Sequence, residues 1–270
     1  MVETQYKYWS GATEFINADA KRLLPEMLSY DEENKYEWSH NIKLAMKSLD
    51  KSIAQFISVL QKFYQNKEKW EDAQNSRASV AMANSALNYH LLARHTVVLG
   101  YFSETEPIHR ACFERMTRCA VFQLEEELAE KFWSGKQIRQ KQIGDLLSKH
   151  FEDRVTGFGE IANERIKDMY KNLSQVAHPN LMVLQFRTVQ TPEKAEINVG
   201  IDFSYCGENQ EILRLMSIGE CMNYVIFSLF MMEIVSKKIF ASWANVLERR
   251  IEELFEEHNA LFAHVMKSVK

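Results

Sequence analysis

A mainly α-helical fold, a multi-helix bundle with one inserted β-hairpin, is predicted from three observations. The chain of 270 residues has only 9 Gly and 4 Pro, too few turn formers for an all-β fold. Between 39 and 65 the apolar residues Ile42, Met46, Leu49, Ile53, Phe56, Ile57, Leu60, Phe63 and Tyr64 recur at steps of three and four, the period of one helical face. After Pro179 that period gives way to two β-prone runs, 181–189 and 197–203, joined by the turn Thr191-Pro192-Glu193-Lys194. This is the pattern of a hairpin at about 181–204, which must pack on helices because two strands alone are marginal.

The remaining elements follow in order. Residues 10–29 read as a first helix, disturbed near Pro25, and 72–102 as a helix rich in Ala, Leu and Val. The polar linker 103–107 ends in Pro107, suited to a first helical turn. The helix from Pro107 to about Leu128 is apolar on most of its circumference, so it should be central. Short charged helices at 126–155 carry Lys131, Lys136, Arg139, Lys141, Lys149 and Arg154, the most basic region. After a break at Gly157-Phe158-Gly159 comes a helix over 160–178. A long apolar helix at 208–240 and an amphipathic one at 242–267 complete the chain. No repeat or linker divides it, so a single domain, 1–270, is expected, with N-terminal helices at 10–102.

Composition excludes several classes. Hydrophobic residues make up 46% and charged residues 26%, which is globular. At a net charge of -4 no global basic field draws the chain to nucleic acid. Cys112, Cys119, Cys206 and Cys221 form no Cys-x-x-Cys pair and no zinc spacing, so a reducing compartment is expected. There is no signal core, and the apolar run 221–232 is too short to span a bilayer. A cytoplasmic protein without membrane contact is the expectation.

Two constellations could carry chemistry. At about 100° per residue, Asn163, Lys167, Lys171, Ser174 and His178 share one stripe of the 160–178 helix. Two ammonium groups, a hydroxyl and an imidazole on one wall suit a phosphate, and histidine can serve as acid or base near neutral pH. A solvated face ending in a capping histidine before Pro179 accounts for the same stripe. Arg110, Glu114 and Arg118 lie four apart on the central helix. They make either a salt-bridge ladder or the wall of a cleft, in which Glu114 orients His178 and the arginines bind an anion.

Arg110 and Glu114, taken with Tyr170, Leu173, Ser174, His178 and Pro179, resemble a broad group of bacterial helical proteins. The resemblance covers roughly residues 80 to 240 and is similar in style to HEPN domains, helical bundles found in toxins, phage defence and ribonucleases. Where the HEPN signature places an arginine before its histidine, this chain has Lys171, or Asn172 in a shorter frame. The resemblance implies an HEPN-like helical module of a stress or phage-defence system, acting through RNA or protein binding and assembling as a dimer, homo-oligomer or complex. That module would be non-catalytic or weakly catalytic; the alternative is a metal-independent endoribonuclease, with His178 as acid/base and Glu114 catalytic beside it. Lys167, Lys171, Asn172, Ser174, Arg110 and Arg118 would then hold phosphate.

Other motifs fail on position. Glu37-x-x-His40 and Glu106-x-x-His109 match half of a di-iron site, but both lie near predicted helix starts and not mid-bundle. His90 and His95 point about 140° apart on their helix. No metal and no cofactor are expected.

Overall fold

The computed structural model describes residues 39–98, 105–152, 167, 168, 171 and 210–268. Among these it forms seven long or medium helices and no strand. They are α1 (His40–Gln65), α2 (Gln74–Val98), α3 (Thr105–Leu124), α4 (Glu126–Trp133), α5 (Gln140–Glu152), α6 (Gln210–Ile239) and α7 (Ala241–Ser268). The expected helix at 10–29 and the hairpin at about 181–204 lie outside the described residues, as does most of the 160–178 helix.

α1 begins where Ser39 caps it. The Ser39 hydroxyl accepts a hydrogen bond from the Ile42 amide at 3.3 Å, satisfying a donor the helix itself cannot. The same hydroxyl donates to Glu211 of α6, tying the starts of the two helices together. The predicted stripe is the buried one: Ile42, Met46, Leu49, Ile53, Phe56, Ile57, Leu60 and Phe63 all lie in the core. A turn closed by the Trp70 indole, which donates to the Phe63 carbonyl at 2.7 Å, sends the chain back along α2.

α6 is the axis of the bundle and packs against α1, α2, α3 and α7. Side-chain pairs fix the directions. Phe63 meets Phe240 at 5.0 Å and Ser39 meets Glu211, so α1 and α6 run parallel. His109 meets Tyr224, Phe113 meets Phe227, and Cys119 meets Met232, so α3 is parallel to α6 as well. α2 runs opposite, with Ser79 on Cys119 and His90 on Cys112. α7 folds back on α6, its Phe262 beside Gly219 and Lys237 of α6 reaching its Glu248. The apolar stretch of α6 is longer than the sequence suggested: 26 residues, 214–239, at mean hydropathy 1.5. That passes a length test for a membrane span, but its most apolar 18-residue window is 78% buried in the protein, as in the core helix of a globular bundle.

The smaller helices close one side. α4 ends at Gly135, whose φ of 69° lets the chain turn while its amide bonds to the Phe132 carbonyl at 3.0 Å. α5 buries Ile143, Leu147 and Phe151, four residues apart, and Phe151 stacks on Phe230 of α6 at 5.4 Å. α7 buries Ala244, Leu247, Ile251, Leu254 and His258 and turns Glu248, Glu252, Glu253, Glu256 and Glu257 to solvent.

Candidate functional site

The structure brings Arg110, Glu114 and Arg118 together on α3. Arg110 Nε lies 3.2 Å from Glu114 Oε1, and Arg118 Nη1 lies 3.6 Å from Glu114 Oε2. Each of the three is about a quarter exposed. The arrangement is the salt-bridge ladder, with the one carboxylate taken by both guanidinium groups. Lys167 and Lys171 are helical and exposed, with Asp168 exposed between them. Asn172, Ser174 and His178 lie outside the described residues, and so does any meeting of His178 with Glu114.

The basic segment is less basic than its lysines and arginines suggested. Lys131 pairs with Glu127 of the same helix at 2.6 Å. The shallow groove along α5 mixes Arg139, Lys141 and Lys149 with Glu125, Glu127 and Asp145. Such a surface has little net field for a polyanion.

A second cluster was not anticipated. It is a polar seam buried where α3 meets α6 and α2. His90 Nε2 lies 2.8 Å from Ser228 Oγ, and the Ser228 hydroxyl donates to the Tyr224 carbonyl at 2.8 Å. The histidine therefore donates to Ser228 through Nε2–H. Cys112 Sγ sits 3.3 Å from the same nitrogen. One turn earlier on α3, His109 stacks on Tyr224, with centroids 4.3 Å apart and rings 15° from parallel. His109 Nε2 is 3.7 Å from Cys221 Sγ. His90, His109, Cys112 and Cys221 are each at most 3% exposed. At the outer end of the seam the half-buried Glu106 and Glu220 face each other.

Burial sets the charge states. With no counter-charge to repay desolvation, His90 and His109 drop to about 3 and stay neutral. Burial lifts Cys112 to about 12, and the nearby Ser228 and Arg115 offset only part of that. Cys119, Cys221 and the Tyr224 phenol are pushed upward by the same cause. The Cys112–His90 contact thus resembles a nucleophile–base pair in distance alone. A thiolate–imidazolium pair is unfavourable there, and no substrate reaches side chains so deeply covered. Desolvation, then the charge of Glu220, raises Glu106 to about 8, and desolvation raises Glu220 as well. Among the described residues no group of three or more His, Cys, Asp and Glu side chains is arranged to hold a metal ion.

A sequence signal for the seam did exist. Ser217, Cys221, Tyr224 and Ser228 recur at steps of four, three and four along the most apolar helix, a polar stripe that needs a partner. Glu106-x-x-His109 supplies it, not as half of a metal site but as the facing wall. Comparison of the chain with protein-family models, with curated proteins and with solved structures gives no match.

Proposed function

We propose that the chain is a non-catalytic, HEPN-like helical module of a bacterial stress or phage-defence system, acting by holding RNA or a partner protein. One observation carries this reading. Glu114, the group needed to orient a catalytic imidazole, is already engaged by Arg110 and Arg118. The two i,i+4 pairs make Glu114 part of a ladder along α3. The exposed Lys167 and Lys171 favour phosphate contact of the screened, non-specific kind. The glutamates of α7 are partly offset by Arg249 and Arg250 beside them and by ion pairs to Lys51 and Lys237, so that side of the bundle has little field to attract RNA.

The test is binding of a fluorescently labelled single-stranded RNA, read by anisotropy across a salt series, with sedimentation of the protein alone. Binding that weakens with salt, and that falls about tenfold in the Lys167→Glu/Lys171→Glu double variant, supports an RNA-holding module. A stable oligomer or co-purifying protein without RNA affinity supports the protein-holding form. Wild-type protein that binds no RNA and sediments as a solitary monomer overturns the proposal.

A further inference from the structure

We propose that Glu106 and Glu220 form a pH-operated clasp, which holds the first turns of α3 to α6 while the pair carries one proton and releases them when that proton is lost.

The register of the two helices places the pair. α3 and α6 run parallel, and His109 meets both Cys221 and Tyr224. Glu106 lies one turn before His109, and Glu220 immediately precedes Cys221, so the parallel register sets the two carboxyl groups opposite each other at the mouth of the seam. Both are half-buried. A shared proton lets one carboxyl donate to the other, a short and strong charge-assisted bond. Without it, two anions face each other across a low-dielectric contact.

Among the described residues no cation is set against the pair. On α3 the next polar groups are the neutral His109 and the thiol of Cys112. On α6 they are Cys221 and the Tyr224 phenol, which feels both carboxylates. α2 contributes His90, itself neutral and bonded to Ser228, and one turn on Arg94, whose guanidinium is held by Asp50 of α1, with His95 beside it. α7 approaches α6 through Phe262 at Gly219, with His258 one turn before it. α1 runs along α6 from Ser39 on Glu211 to Phe63 on Phe240 and brings Asp50, bound to Arg94. Arg110, one turn beyond Glu106, is paired with Glu114. The charge acting on Glu106 is that of Glu220, and the pair's retained proton is lost near pH 8, close to neutral.

Behind the clasp stand the His109–Tyr224 stack and Cys221, so opening wets a part of the seam that is otherwise dry. The opening is local, because α1, α2 and the deeper half of α6 hold the core through Phe56, Phe63 and Phe240. Protonation of the pair thus sets how far one end of the bundle is open. This holds whether or not the chain binds RNA.

The experiment is amide hydrogen exchange of the full chain from pH 6 to pH 9, expressed as protection factors so that the intrinsic rate cancels. The expected result is that protection in 106–112 and 214–224 falls by up to tenfold per pH unit above pH 7.5, the limit for loss of one proton. Protection in α1 should stay constant. Glu106→Gln, which keeps a donor and removes the titration, should flatten the profile. Glu220→Gln should do the same and stands in if the first variant folds poorly. A flat wild-type profile, a wild-type pH dependence retained in both glutamine variants, or a uniform loss that includes α1 overturns the clasp.

Discussion

Acidification should destabilise the protein through two histidines that no surface argument would single out, and replacing His109 by Phe should remove half of that effect. His90 and His109 are held neutral in the fold, depressed to about 3 by burial. In the unfolded chain each titrates at about 6.5. A depressed pKa contributes stability that is present above the unfolded value and is lost as pH falls below it. One proton taken up only by the unfolded state costs about 1.4 kcal/mol per pH unit. The slope needs only that the folded value lies well below the working pH. The Glu106–Glu220 pair works the other way. Its raised pKa stabilises fully below about 4.5 and is lost as pH rises through about 8. Between pH 4.5 and 6.5 two histidine protons therefore oppose one carboxyl proton.

From pH 6.5 to 5 the His109 share alone is about 2 kcal/mol, or roughly 4 to 8 °C in Tm for a chain of this size. Phe should keep the stack on Tyr224 and abolish the proton. Urea denaturation of both proteins, followed by circular dichroism at four pH values, gives the difference in stability. Surface carboxylates cancel in that difference. The difference should change with a slope that approaches about 1.4 kcal/mol per pH unit near pH 5 and is about half that at pH 6.5, whatever constant offset the substitution adds. A difference independent of pH would show that His109 is not a buried neutral imidazole, and the reasoning about the seam would fail.

Two further outcomes follow from packing and charge. Phe56→Ala should cost about 3 to 5 kcal/mol by urea denaturation, because the ring is fully buried on α1 with its edge to His90 at 5.4 Å. Glu114→Ala should cost less than about 1 kcal/mol in the same assay, since its ladder is a quarter exposed and built from i,i+4 pairs. A loss of several kcal/mol at Glu114 would mark it as part of a buried network.

The helices were legible because their signals are local. The α1 stripe, the extent of α6 and the start of α7 lie within one or two residues of their expected places. The packing of α3 against α2, α4, α5 and α6 followed from a circumference that is mostly apolar. The seam was not legible for the opposite reason. Glu106 and Glu220 are more than a hundred residues apart, and only the parallel register of α3 on α6 makes them neighbours. Glu106-x-x-His109 could be discounted as a di-iron half-site on its position, yet position says nothing of what a helix start packs against. The lysines and arginines of 126–155 misled because the acids interleaved with them, such as Glu127 beside Lys131, cancel their field.

The central claim is that this helical module binds without cutting. It is tested most directly by incubating a labelled RNA with the wild-type protein and with His178→Ala, in chelator, and resolving the products on a gel. The account predicts intact RNA in both lanes at protein concentrations that saturate binding. Cleavage by the wild type that disappears in His178→Ala would contradict it and establish the endoribonuclease in its place.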